Sequence, residues 1–454
     1  MNKLRLLTLF GLYLLPSFSN GGTIIVAPGS ATYSTIQSGL DAANAGDTVL
    51  VKAGIYHETV TFNKSGKANH AITLIGEKGA IIEGTKNLRQ GIVVNDKSYL
   101  EIIGLEIRHF KGSGVPIGIS VRGSGTSIEI RNNTIHHIEN SAGNAHGIAI
   151  YGTNKMVLSK IIVDGNEISD CQLGSSESLV LNGNVTQFVV SNNLIHDNDN
   201  IGIDFIGFES VGPEGFDQAY DGICFGNTVY NISSLKNPAY NGSQSADGIY
   251  VDGGRNIIIE RNTVYNCDIG IELASEHLNR NTEDIIVRNN FVSGSFQANI
   301  MAGGYAADKG RAVNVAIINN STYLGREGEV ALQFNCNNIT IRNNIFYGRP
   351  DQAYLQNRGS NNTLVTINCN IYYGQSSSSP GSWPDANAKY LDPMLVSPYS
   401  NMHLSAGSPA INSACAPGND KQGKPLSGTL DIDNKNRTEN GKLDIGADEY
   451  QTNW

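Results

Sequence analysis

Apolar and polar positions along this chain recur on a scale much longer than a helical turn or a strand pleat. A short apolar strand, followed by Asn, any residue, and an apolar or aromatic residue, appears at Asn133, Asn166, Asn193, Asn227, Asn262, Asn290, Asn320, Asn344 and Asn370. The intervals run from 24 to 35 residues, and Gly104 and Gly76 continue the register towards the N-terminus. Units of this length, rich in Val and Ile, are too short for helix pairs and read as two or three strands with turns. Such a period predicts a solenoid whose stacked units bury one continuous apolar interior and build long parallel sheets. Asn suits the corners of such a coil. It tolerates left-handed backbone, and its amide bonds to its copies above and below. The Asn column is therefore read as structural.

A second strand in each unit begins with Gly-Ile or a close variant, from Gly91-Ile92 and Gly118-Ile119 through Gly270-Ile271 to Ala331-Leu332 and Tyr354-Leu355. Side chains alternate across a strand, so the registered Ile or Leu points inward and its neighbours point outward. One outward column reads Val93, Ser120, Ala149, Val180, Asp204, Tyr250, Glu272, Met301, Gln333, Gln356. Two residues later the column reads Asn95, Arg122, Tyr151, Asn182, Ile206, Asp252, Ala274, Gly303, Asn335. Carboxylates fall in three consecutive units and nowhere else in these columns.

The ends differ from the repeat. Residues 34–43 read as a short amphipathic helix with Ser34 or Thr35 as its cap, Ile36 and Leu40 on one face, and Asn44 as its left-handed terminator. A first strand from Asp47 to Lys52 and a turn over Ala53-Gly54-Ile55-Tyr56 follow. The tail after about residue 401 loses the repeat, becomes rich in Pro, Gly and Asn, and is expected to cover the far end of the solenoid. The organisation read here is an export signal over 1–20, a β-helix over 21–400 and a C-terminal cap over 401–454.

The run Tyr33-Ser34-Thr35-Ile36-Gln37, with Ala45-Gly46-Asp47-Thr48-Val49 and Ala53-Gly54-Ile55-Tyr56, resembles the N-terminal cap of the pectate-lyase-like superfamily. Ser408-Pro409-Ala410-Ile411, Asp431-Ile432-Asp433 and Asp444-Ile445-Gly446-Ala447-Asp448-Glu449-Tyr450 are similar to the terminal segment of many secreted β-helix repeat proteins. The resemblance covers nearly the whole chain and implies an all-β, right-handed parallel β-helix. Members of that superfamily include polysaccharide lyases, glycosidases, epimerases and binding proteins. The Gly-His-Gly and Arg-x-Lys motifs of polygalacturonases are missing, as is the doubled Asp of one calcium-dependent lyase branch, so no catalytic residue is carried over.

Composition narrows the remaining choices. A formal net charge of −10 argues against nucleic acid as a partner. Lys3 and Arg5 precede an apolar run from Leu6 to Leu15 and a small-residue exit near Asn20, which reads as a secretory signal and predicts a secreted or periplasmic protein. The run is too short to span a bilayer, so no membrane anchor is expected. Cys171, Cys224, Cys267, Cys336, Cys369 and Cys415 fit no zinc spacing and are read as buried, unpaired thiols, although export permits disulfides.

The clustered acids direct the functional reading. Sheet geometry puts Asp252 and Glu272 about 8 Å apart on a diagonal, and Asp204 and Glu272 about 10 Å apart with Tyr250 between them. Paired glycosidase carboxylates stand about 5–9.5 Å apart, and crowding raises one pKa to supply a general acid. Loops leaving the same ends of these strands carry Glu276, His277, Tyr305, Lys309 and Arg311. With Tyr151 and Asn182, they are expected to wall a sugar-binding groove. The leading expectation is a monomeric secreted glycoside hydrolase without a cofactor, cleaving a poly- or oligosaccharide with Asp252, Glu272 and Asp204. The alternative is a polysaccharide lyase with Lys309 or Arg311 as base and calcium at Asp217, Asp221 and Asp247, joined by Asp252. A third class is a non-catalytic glycan-binding scaffold.

Overall fold

The computed structural model describes residues 21–85, 87–112, 114–140, 143–375, 379–438 and 441–451; the expected export signal lies outside them. The chain winds into a right-handed parallel β-helix of about 12 turns. Three long parallel sheets form its walls. Each coil passes from sheet one to sheet two to sheet three, as in Arg255–Glu260, Thr263–Tyr265 and Ile269–Ala274. The inward residues of all three sheets merge into one apolar core from Val26 to Tyr372. Among the described residues, no helix is long and apolar enough to cross a membrane.

The corner between sheets one and two carries the Asn column. From Asn133 to Asn370 the side chains form one buried ladder. Each Nδ2 donates to the Oδ1 of the next copy at 2.9–3.1 Å. That Oδ1 also accepts the backbone N–H of the copy before it, as Asn290 Oδ1 does from Asn262. The Asn residues are not themselves left-handed. The residue before each one is, from Asn132 (φ 53°) and Gly165 (φ 69°) to Asn343 (φ 56°) and Cys369 (φ 61°). Gly104 (φ 70°) therefore matches Asn132, and Leu105 takes the ladder place, donating its N–H to Asn133 Oδ1 at 3.0 Å. At the other end Asp385 receives the amide and the backbone N–H of Asn370 at 2.8 and 3.0 Å.

The N-terminal helix spans Ile36–Ala42, with Thr35 as its cap and Ile36 and Leu40 buried on the first coil. Ala43 ends it in an extended conformation and Gly46 (φ 97°) makes the turn, so Asn44 is not the left-handed residue. An additional strand, Thr23–Val26, pairs with Thr48–Val51, and Gly54–Tyr56 is a strand of sheet two rather than a turn.

The C-terminal end differs from expectation. The far opening is met by residues 380–389, where Gly381 bridges Leu355, Lys389 bridges Ile371 and Trp383 packs on the core. The tail beyond them turns back along the flank. Leu395, Met402, Leu404, Ala410, Ile445 and Ala447 pack on the outer side chains of Phe291, Ile345 and Ile371. The left-handed corner residues hold it in place: Asn289, Asn319 and Asn343 donate their amides to the carbonyls of Ser427, Asp444 and Cys415 at 2.8–2.9 Å. A disulfide joins Cys369 to Cys415 across a Cα separation of 6.0 Å, which overturns the unpaired reading for these two residues. Cys171, Cys224, Cys267 and Cys336 are free and buried, and burial pushes the Cys171 and Cys336 thiols up to about 12.

Replacing Asn262 with Ala removes its amide bonds to Cys224 O and Asn290 and leaves Asn227 without its acceptor. Urea unfolding is expected to show a loss of about 2–4 kcal/mol.

Candidate active site

Sheet three carries the acids, and its register joins three of the expected residues in one row: Asp204 pairs with Tyr250, and Tyr250 with Glu272. Asp252 lies two residues beyond Tyr250, opposite Ala274. The row continues through Met301 and Ala331 to Gln356. Gln333 is thus one pleat further along than the sequence columns placed it, and Asn335 further still. Val330, not Leu332, aligns with Ile300. From its true position Gln333 donates its amide to Glu272 Oε1.

Asp247 joins this group through a break in alternation. Gly248 points inward, since a Cβ there would lie 2.6 Å from Val264 Cγ1 and 3.1 Å from Cys267 Sγ. The residue before this glycine therefore faces out, as Ile117 and Ile269 do at the same place in other coils. There Asp247 shares a hydrogen bond with Glu272, and burial holds both carboxyl groups above the usual carboxylate range.

The acids are buried, not spread on a solvated sheet: Asp204, Asp247, Asp252 and Glu272 are 2–6% exposed. Apolar clusters flank them along the sheet. Ile117, Ala149, Val180 and Ile206 lie on one side, and Ile269, Ala298, Met301 and Ala331 on the other. An insertion over residues 233–246 is fastened by Asp268, which accepts hydrogen bonds from Ser233 Oγ, the N–H groups of Ser234 and Ala246, and Gln244 Nε2 at 2.7–3.1 Å. It carries Tyr240, whose hydroxyl accepts from Asn200 Nδ2 at 3.1 Å and feels the charges of Asp247, Glu177 and Glu276.

Burial is the main cause of the shifted protonation. It holds Asp204 well above the usual carboxylate range, with Glu177 and Asp252 adding to the effect. It does the same to Asp252, where Glu276 contributes, and raises Glu272 to about 7 against the hydrogen bonds from Asp247 and Gln333. Tyr250 rises through burial and then through Asp252 and Glu272. Positive charge is sparse here: Arg358 favours ionised Glu272, and His277 and Lys309 favour ionised Glu276. Buried oxygens without a protein partner gather on this face, among them Asn182 Oδ1, Asp204 Oδ1 and Asp247 Oδ1. Unsatisfied buried acceptors carry a free-energy cost, and their convergence marks a place built to receive hydrogen-bond donors.

The other expected residues divide. Glu276 donates its backbone N–H to Asp252 Oδ1 at 3.0 Å, and His277 pairs with Glu209 at 2.7 Å. Lys309 sits over the Tyr305 ring at 4.8 Å. Tyr151 bonds His146 Nε2 at 2.9 Å, and His146 approaches Glu177 at 3.4 Å. Arg311 is exposed at the start of the sheet-one strand Arg311–Ile318. Asp217, Asp221 and Asp247 do not assemble. The Asp217 carboxylate accepts the N–H groups of Ser210 and Gly212 at 2.7 Å, and Asp221 accepts from Asn256 at 2.6 Å. Glu177, Arg358, Tyr240 and the outward place of Asp247 were missed. Glu177 and Tyr240 lie in irregular insertions, and Arg358 is remote in sequence. A separate cavity of about 420 Å³ lies elsewhere, lined by Gln244, Asn266, Phe296, Arg326 and Tyr399. Its sole lining carboxylate, Asp268, is committed to the insertion.

This architecture defines a right-handed parallel β-helix protein with a buried acidic patch on one sheet. Residues 85–307 match the family model described as the right-handed β-helix region. The chain is 36% identical over 371 residues to the uncharacterized protein YwoF of Bacillus subtilis, covering 77% of this chain and 78% of that one, and it belongs to the same β-helix family. Among solved structures it is similar to pectate lyase Pel9A, with a TM-score of 0.55, 16% identity, and coverage of 96% of this chain and 98% of that one. A lacto-N-biosidase from Eubacterium ramulus gives a TM-score of 0.51 at 11% identity, covering 81% of this chain and 67% of that one. At these identities the two structures share the fold with this chain.

Glu272 has a folded pKa raised above its unfolded value, so its contribution to stability is greatest below the unfolded pKa and is lost as pH rises through about 7. Melting temperature is expected to fall as pH rises from about 5 to about 8, and Glu272→Gln to flatten that slope. Thermal melts of both proteins across this range provide the check.

Proposed function

We propose that this protein is a carbohydrate-active enzyme that hydrolyses glycosidic bonds of a poly- or oligosaccharide at the sheet-three patch. The observation that carries the reading is the set of four buried carboxyl groups on adjacent coils, two of them hydrogen-bonded to each other and two presenting unpartnered oxygens. Sugar hydroxyls are the donors such oxygens accept. The Asp247–Glu272 pair protonates the leaving glycosidic oxygen. Asp252, fixed by the Glu276 N–H, takes a proton from water or attacks the anomeric carbon. Asp204 and Tyr250 complete the row and orient the sugar, and Tyr305, Tyr240 and Tyr151 supply aromatic surface. The solved β-helix structures named as a pectate lyase and a lacto-N-biosidase support a carbohydrate substrate at the level of the class.

The calcium-dependent lyase reading does not fit these residues. Asp217 and Asp221 are committed to separate partners, and Lys309 rests on the Tyr305 ring. Export from the cytoplasm belongs to the same proposal. The basic, apolar N-terminal segment and the Cys369–Cys415 disulfide both suit an oxidising compartment.

The full chain incubated with pectic, alginate, glycosaminoglycan and xylan-type polymers is expected to release reducing ends without ultraviolet absorbance, with or without chelator. Glu272→Gln and Asp252→Asn should each lower kcat by about 100-fold or more with the fold intact. Absorbance growth abolished by chelator would assign a lyase instead. Unchanged turnover in both variants would move the chemistry away from this patch.

A further inference from the structure

Three histidines meet on the outer face of sheet two, several coils before the acidic patch. The strands Ala80–Glu83, Glu106–Arg108 and Thr134–His136 stack in register, so that Glu83, Arg108 and His136 form one row. The chain then turns through left-handed residues in two successive coils, His109 (φ 58°) and His137 (φ 53°). This repeat places the imidazoles together, with ring centroids of His109 and His137 5.2 Å apart and those of His136 and His137 5.0 Å apart. One nitrogen from each ring lies within 4.8 Å of the other two, and His136 Nδ1 and His137 Nδ1 are 2.8 Å apart. At that distance the two nitrogens share a hydrogen bond, which a cation bound between the rings would replace.

The surroundings fix which nitrogens are available. Glu83 holds His109 at Nδ1 (2.6 Å), which leaves Nε2. Glu106 holds His136 at Nε2 (3.3 Å), which leaves Nδ1 to His137, or to a cation in its place. Arg108 binds both carboxylates, Glu83 at 2.6 Å and Glu106 at 2.5 Å, and locks them in place. A carboxylate on the far nitrogen of a ligating histidine is the usual way a protein orients imidazole towards a metal. All three histidines are half-buried, so an ion can enter from solvent. A second cluster, His403 with Asp433 and Asp448, offers one imidazole rather than three, and that ring is held by Asn401 and Asp433.

We propose that His109, His136 and His137 form a binding site for a divalent first-row transition-metal ion, of which zinc is the representative, linking two coils remote from the carbohydrate site. Three neutral imidazoles are a borderline-soft donor set that favours zinc, copper, nickel or cobalt over calcium or magnesium. The remaining coordination positions fall to solvent.

The test uses the full chain without an affinity tag, equilibrated with zinc, freed of excess metal and assayed by elemental analysis, with cobalt(II) absorption reporting nitrogen ligation. About one zinc per chain is expected, with a rise in melting temperature that calcium does not reproduce. His109→Asn and His137→Asn keep a residue that tolerates the left-handed turn, and each should weaken zinc binding at least about tenfold. His403→Asn should leave zinc binding unchanged. Absence of retained zinc, or retention undiminished in folded His109→Asn and His137→Asn proteins, would overturn the assignment.

Discussion

A coil that turns three corners per unit exposes backbone N–H and C=O groups that the sheets cannot pair, and every buried one must find a partner. At the corner between sheets one and two the Asn ladder meets this demand. Each amide oxygen takes a backbone N–H and a neighbouring amide, and each amide nitrogen also reaches a carbonyl of the preceding coil. The rest of the solenoid depends on this repetition. It keeps consecutive coils in register with one another, which in turn sets the rows of sheet three. Because each member bonds the next, one gap leaves groups unsatisfied in two coils.

That registered frame allows sheet three to hold several carboxyl groups in a low-dielectric setting. Desolvation opposes ionisation there, and the clusters around Ile206 and Met301 keep the patch apolar on both sides. An isolated strand pair would relax to relieve such crowding. Here each acid-bearing strand is clamped between two others, and its inward residues are packed in the common core. The result is a set of carboxyl groups with raised proton affinity on a rigid support.

Much of this was legible in the sequence, for physical reasons that also explain the failures. The ladder was visible because only Asn satisfies donor and acceptor demands in every coil. The row Asp204–Tyr250–Glu272 was visible because alternation from a buried Ile is strict. Asp247 was hidden because Gly248 breaks that alternation. Gln333 was misplaced because Val330, Ala331 and Leu332 are all apolar, so a slip of two residues leaves the pattern unchanged. The burial of the acids was invisible, since it depends on an insertion pinned by Asp268 and on apolar residues from other coils. The flank position of the tail had no periodic signal. Its anchors are Asn289, Asn319 and Asn343, which in sequence resemble any other turn residues.

The returning tail has a consequence for the order of events during synthesis. Coils emerging early can stack on the N-terminal helix as they appear, each needing only its predecessor. From Arg261 onward the outer corners are completed by residues 415–447, which are made after the coils they bind. The later half of the solenoid therefore waits with open corners until this tail has been made, and the Cys369–Cys415 link then seals it. The acidic patch straddles this boundary, with Asp204 and Asp252 on coils before it and Glu272 just beyond. Maturation of the patch is thereby coupled to synthesis of the tail.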